Sequence, residues 1–310
     1  MIVPIDKLTK TVMHLDADEY AEMLTSRKPA AIDEKLRGQG NVLTRFWLEL
    51  VGGYADLTPM DEFDFDVLTA CISAQAAGHK GITFSEIARL MAGNKPHNAY
   101  FSPELKARIM KAVERMMCTK ITVDFTELVD KGKYPKLPKK LTSTILPCEI
   151  LDGVTVNGQR DCTIVYFHCE SPLFKVACAK NRQLVTYPVA FLDVAKQRNT
   201  EIVTMVKHYV TKHVFEVIGQ KNHKLASTIR FDCIAKNCGL VGAPRWQRQD
   251  AVKTIRAVFE KLKAEGKISA FELVTEFGEI SAVKFKFKCC SCNKNSTPQA
   301  VADKLRGCRG

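Results

Sequence analysis

The chain has 310 residues, enough for about two domains, and 46% of them are hydrophobic, so it can bury ordinary cores without covalent staples. Lys and Arg total 46 against 34 Asp and Glu, a formal charge of +12 with a pI near 9.1, which favours an acidic partner. No apolar run reaches the roughly 18 residues of a membrane span, the first twenty residues lack a secretory layout, and 12 cysteines are too few for a disulfide scaffold; a cytoplasmic protein with reduced thiols and no membrane partner is expected.

The charge is unevenly spread. Residues 199–310 carry 20 Lys and Arg against 10 Asp and Glu, a net of +10, whereas residues 1–198 carry 26 against 24, a net of +2. The last third is therefore the part expected to face a polyanion.

In chain order, Thr58-Pro59 with Asp61 reads as a helix start, and Phe63, Val67 and Cys71 recur at helical spacing until Gly78. Thr83 opens a shorter helix, Ser85 to Met91, stopped by Gly93. After a turn at Asn98 to Phe101, Ser102-Pro103 opens a third helix with Leu105, Ile109, Ala112, Val113 and Met116 as its buried stripe. Ile121, Val123 and Phe125 then alternate as in a strand, so three helices followed by a strand hairpin, the winged-helix order, are expected. Asp130 to Lys140, with two prolines and five lysines, reads as an exposed loop. Ile145–Ile150 and Cys162–Phe167 read as strands, Asp152-Gly153 and Asn157-Gly158 as turns, Ser171 to Ala179 as a short helix, and Leu184 to Val189 as an extended piece. Polar Lys196-Gln197-Arg198 marks a boundary between two halves.

The pattern then repeats. Asn199-Thr200-Glu201 caps a long helix carrying Ile202, Val206, Tyr209, Val210, His213 and Val217 on one stripe. Ile229 and Phe231 are extended, a small helix covers Asp232 to Asn237, and Gly242-Ala243-Pro244 begins a long helix to Ala264. Phe271 to Thr275 and Glu279 to Lys288 flank a turn at Phe277-Gly278. The expected fold class is thus α+β, mainly helical, with two winged-helix domains in tandem, each of three helices plus a β-hairpin wing. The expected boundaries are an N-terminal extension at 1–41, a first domain with extra strands at 42–198, a second, DNA-reading domain at 199–288, and a basic cysteine-containing tail at 289–310.

On a helical wheel of the last long helix the apolar stripe centres on Ile255, with Trp246, Gln249 and Lys253 opposite, Arg245 and Arg256 on the flank, and Arg248 close to the buried stripe. Arg reads guanine and Gln reads adenine in the major groove, and a recognition helix inserts its N-terminal residues there. In Lys284-Phe285-Lys286-Phe287-Lys288, alternation buries the two phenylalanines and sends the three lysines to one face, where they suit phosphate contacts. In the first unit, Lys106, Lys111 and Arg115 (with Arg108) are expected to leave the third helix away from Leu105 and Ile109, either touching the DNA backbone or packing against another copy.

Cys289, Cys290 and Cys292 contain one C-x-x-C spacing, and Cys308 follows, yet no second pair and no histidine beyond His223 is present to complete a zinc site, so no metal and no cofactor are expected. There is no phosphate-binding G-x-x-x-x-G-K-[ST] loop, no His-x-His pair for nicking, and no tyrosine after Tyr209 for a recombinase-type nucleophile. A binder, not an enzyme, is expected.

Over roughly residues 42–288 the chain resembles the plasmid replication initiators of Gram-positive bacteria built from two winged helices. The stretches that carry the resemblance are LTPMDEFDFDVLTACISAQAAG, LVTYPVAFLDVAKQRNTEIVTMVKHYVTKHV and RQDAVKTIRAVFEKLKAEGKI. It implies sequence-specific binding of double-stranded origin repeats, with Arg245, Arg248, Gln249, Lys253 and Arg256 as reading contacts and Lys284, Lys286 and Lys288 as wing contacts. It also implies opening of A·T-rich DNA, self-association through the first domain, and recruitment of a host helicase or loader. The rival readings are a transcriptional repressor of the same fold, a DNA-nicking or recombining enzyme, for which no motif is present, and a purely oligomerising protein.

Overall fold

The computed structural model describes residues 1–36, 40–51, 58–93, 95, 101–156, 159–180, 183–194, 200–219, 227–276 and 279–287. The elements of the first half are β1 (Ile2–Pro4), α1 (Lys7–Val12), α2 (Ala17–Ser26), β2 (Ala30–Leu36), β3 (Gly40–Leu50), α3 (Glu62–Ala76), β4 (Gly81–Thr83), α4 (Phe84–Met91), α5 (Pro103–Cys118), β5 (Thr119–Asp124), α6 (Thr126–Asp130), β6 (Lys140–Thr144), β7 (Cys148–Val156), β8 (Gln159–Phe167), α7 (Pro172–Ala179) and β9 (Leu184–Thr186). A 3-10 turn, Val189–Leu192, leads to α8 (Glu201–Gly219), β10 (Thr228–Arg230), α9 (Phe231–Asn237), α10 (Arg245–Ala264), β11 (Ala270–Glu276) and β12 (Glu279–Lys286). No described helix is long and apolar enough to cross a membrane.

The expected mainly helical pair of tandem winged helices is not the architecture formed. The described residues build an α+β fold with four antiparallel sheets, ordered β1-β9, β2-β3-β5-β6, β4-β8-β7 and β10-β12-β11. The strand that follows α5 is not one arm of a hairpin wing. β5 lies between β3 and β6, with Phe46 opposite Val123 on one side and Leu141 opposite Val123 on the other. Residues 1–41 are not a separate extension either: β1 pairs with β9, β2 pairs with β3, and Leu8, Val12, Met13, Tyr20 and Ile32 lie in the common core. Those elements carry local start signals. Asp6 accepts from the Thr9 backbone N–H at 3.1 Å and Asp16 from that of Glu19 at 2.8 Å, each satisfying a donor that the first helical turn leaves unpaired.

Other expectations shift for local reasons. The helix expected from Thr58 begins at Glu62, because Asp61 and Asp64 form a reciprocal capping box. Asp152-Gly153 does not turn the chain. Gly153 has φ +71° and the β7–β8 register slips between Leu151 and Val154, the mark of a bulge inside a continuing strand. The turns expected at Asn157-Gly158 and Phe277-Gly278, the linker Lys196-Gln197-Arg198, and Asn98 to Tyr100 lie outside the described residues.

α3 is buried on every side, and its first turns carry three buried carboxylates, Glu62, Asp64 and Asp66. Each meets partners from other elements. Arg108 Nη1 donates to Asp64 Oδ1 at 2.9 Å, and Arg115 of the same helix, α5, donates to Asp64 Oδ2. Lys212 of α8 donates to Glu62, whose other oxygen is 3.5 Å from His14 Nε2. Asp66 Oδ1 lies 3.3 Å from Nδ1 of His208, also on α8. The Met91 carbonyl can only accept, so His208 Nε2 carries the hydrogen donated to it at 3.0 Å; Nδ1 then accepts from the Tyr187 hydroxyl at 3.2 Å. Burial raises the Asp66 carboxyl well above its usual range and lowers His208 to about 3, so the imidazole is neutral in the interior.

A fully depressed histidine makes stability depend on pH with a definite sign. Between about 6.5 and 3 the unfolded chain protonates His208 and the folded chain does not, so this residue removes stability as pH falls from 6.5. Asp66 acts in the opposite sense, its raised pKa removing stability as pH rises through the folded value. In urea titrations, wild type is expected to lose roughly 1 kcal/mol per pH unit more than His208→Gln between pH 6 and 5.

The junction of the halves is equally tight. Gly93 has φ +98°, and a Cβ there would come within 2.2 Å of the Asp193 backbone nitrogen. Asp193 in turn accepts from Lys95 on its carboxylate and from Lys261 Nζ of α10 on its carbonyl, the latter at 2.6 Å. Gly93→Ala is expected to cost about 2–4 kcal/mol, read as a lower urea midpoint with unchanged m-value.

Candidate nucleic-acid interface

The basic surface of the second half is built around α10. β10 leads directly into the short helix α9, and the chain then turns through Gly239 (φ +66°) and Gly242 (φ +73°), left-handed conformations that favour glycine. Leu240 is buried inside this turn, and Pro244 fixes the entry to α10. Ala251, Thr254, Ile255, Val258, Phe259 and Leu262 form the buried stripe, and Phe259 stacks on Phe271 with ring centroids 5.3 Å apart.

The first buried residue of α10 is Ala251, so its first turn and a half extends beyond the core. Arg245, Trp246, Arg248 and Gln249 are exposed there, followed by Lys253 and Arg256 one and two turns on. Arg248, which a simple wheel puts near the buried stripe, is exposed, since burial along α10 begins only at Ala251. The first turn contains no acidic residue, and Pro244 supplies no side-chain cap. The positive end of the helix dipole and its unpaired N–H groups therefore coincide with two guanidinium groups, an arrangement suited to phosphate and to acceptor-bearing base edges. Lys253 is 3.2 Å from Asp250, a surface pair of small energetic weight.

In the hairpin, Phe285 is buried against Phe259 of α10, Lys284 and Lys286 are exposed, and Phe287, expected in the core, is only half-buried at the edge of Phe285. The two lysines consequently emerge from the sheet face opposite the one on which Phe259 packs. Lys284 sits across from Glu272, and the described ends of the hairpin arms bring Glu276 opposite Glu279. The far end of this hairpin is acidic and its lysines lie toward the base. Lys288 and the cysteines Cys289, Cys290, Cys292 and Cys308 lie outside the described residues.

In the first half, Lys106 and Lys111 are exposed on α5. Arg115 is not a surface cation. It is 6% exposed, paired with Asp64 and donating to the Pro59 carbonyl at 3.3 Å. Arg108 is likewise committed inward, to Asp61, Asp64 and Glu201. The expectation that these arginines point away from the core fails because α3 presents buried carboxylates on the side where α5 packs. Elsewhere, a cleft of about 270 Å³ between α1, α3, α8 and α9 is lined by Lys10, His14, Lys212 and Glu216, but its lysines are already paired with Glu216 and Glu62. No group of three or more His, Cys, Asp or Glu placed to hold a metal occurs among the described residues.

No protein-family model matches the chain, and no curated protein does. Solved structures that resemble it include two of RctB domains. One is a crystal structure of the RctB domains 2-3 (RctB-155-483), 13% identical with a TM-score of 0.44, the match covering 94% of this chain and 100% of that one. The other is a crystal structure of selenomethionine derivatives of domain 2 and domain 3 of RctB, 14% identical with a TM-score of 0.39, covering 84% and 91%. Likeness at this level leaves function to be argued from the chain itself.

Arg115 and Lys111 separate structure from surface. Arg115→Ala leaves Asp64 with a buried, under-compensated charge and is expected to cost about 3–5 kcal/mol, whereas Lys111→Ala is expected to stay within about 0.5 kcal/mol, both read by denaturant unfolding.

Proposed function

We propose that the chain is a non-enzymatic, sequence-specific double-stranded DNA-binding protein that acts as a replication initiator at repeated origin sites. The observation that carries the DNA-binding reading is the exposed first turn and a half of α10, where Arg245, Arg248 and Gln249 stand on the positive helix end with Lys253 and Arg256 behind them. These side chains combine major-groove readout with backbone charge. Initiation rests on the resemblance to plasmid replication initiators read from the sequence. Binding to direct repeats would assemble a nucleoprotein complex, favour opening of adjacent A·T-rich DNA and present the protein to a host helicase or loader, with self-association through the first half.

Gel shifts and footprints on DNA flanking the gene, at several salt concentrations, test this reading. Regularly spaced protected repeats that survive competitor DNA are the expected result, and smooth, sequence-blind, salt-sensitive binding would contradict it. Lys253→Ala is expected to weaken specific binding more than non-specific binding. Lys286→Ala is expected to reduce both about equally and to lower the salt slope by about one unit. Cleavage of supercoiled DNA with magnesium or manganese would contradict the non-enzymatic reading.

A further inference from the structure

Trp246 and Val241 stand apart from the rest of the surface. Among the described residues only four large hydrophobic side chains are exposed: Leu43 and Ile218 at 38% and 39%, Trp246 at 61% and Val241 at 74%. The two most exposed are five residues apart in sequence, at the turn into α10 and in its first turn. A lone indole on a soluble surface is unremarkable, but here it sits between Arg245 and Arg248, on a helix end that carries no acidic residue in its first turn. Cations beside an apolar group at this end fit a polyanion that also presents apolar atoms. Duplex DNA does so in its major groove, through the 5-methyl group of thymine.

We infer that Trp246, with Val241 five residues earlier in the chain as the other strongly exposed apolar side chain, reads thymine methyl groups in the major groove. This rests on the DNA-binding reading above and names what part of that site recognises. The arginines would contact phosphates and guanine edges, and the apolar pair would distinguish thymine from cytosine, which lacks the methyl.

The test replaces thymine by deoxyuracil, which removes the methyl and leaves the Watson–Crick edge unchanged. A target selected from a random duplex pool with the full chain is resynthesised with single deoxyuracil substitutions. At one or two positions, affinity for wild type is expected to fall about fourfold per methyl, and Trp246→Ala is expected to lose that discrimination while still binding DNA. In a Trp47→Phe background Trp246 is the sole tryptophan, and its emission is expected to shift or quench when specific duplex is added. Selective binding in which wild type tolerates every deoxyuracil, or in which Trp246→Ala retains the discrimination, would overturn the inference and leave the DNA-binding reading standing. An unchanged Trp246 emission on binding would also overturn it, as would a loss of self-association in Trp246→Ala with no change in DNA preference, since the face then belongs to a second copy. Failure to select any sequence at all would overturn both.

Discussion

Three carboxylates on the first turns of α3 organise this molecule. Glu62, Asp64 and Asp66 alternate with Phe63, Phe65 and Val67 on a helix that has no solvent face, and an unpaired carboxylate in such surroundings costs several kcal/mol. Their partners come from different parts of the chain: Arg108 and Arg115 on α5, Lys212 and His208 on α8, and His14 after α1. Apolar burial is non-directional, whereas ion pairs and hydrogen bonds to three fixed positions are directional and favour one register of α5 and α8 against α3.

The consequence reaches the proposed interface through α8. That helix begins at Glu201, held by Arg108, continues through His208 and Lys212 to α3, and packs α10 along its other side. At the far end of α10, Lys261 is tied to the Asp193 carbonyl, and Asp193 abuts Gly93 and Lys95 of the first half. α10 is thus fixed from behind, while its N-terminal turn and a half is left uncovered. A rigidly supported helix with an exposed basic end limits the orientations in which a duplex can be engaged, which is the condition for reading bases rather than charge alone.

Much of this was legible in the sequence, and the failures share one cause. Thr83, Ser102-Pro103 and the glycines after α3 and α4 mark local starts and stops, and the structure shows the same boundaries within a residue or two. The alternation of Lys284, Phe285 and Lys286 matches their burial, whereas Phe287, read as core, is only half-buried. What the sequence does not display is long-range pairing. Ile121, Val123 and Phe125 say that a strand follows α5, but not that β5 will be flanked by β3, roughly seventy residues earlier in the chain, and by β6. Acidic residues at a helix start read as complements to its dipole, so Glu62, Asp64 and Asp66 gave no sign of burial, and Arg108 and Arg115 read as surface cations for the same reason. The capping residues Asp6 and Asp16 were a usable signal for α1 and α2. The acidic far end of the last hairpin was likewise present in Glu276 and Glu279.

The central claim, that the first turns of α10 enter the major groove, is tested most directly by photocrosslinking. A selected duplex carrying 5-bromodeoxyuridine, whose bromine occupies the place of the thymine methyl, is irradiated with the full chain and the attached peptides are identified by mass spectrometry. The account places the principal crosslinks within residues 241–256, with Trp246 foremost. Crosslinks confined to the first half, or to β11 and β12 without α10, would contradict it.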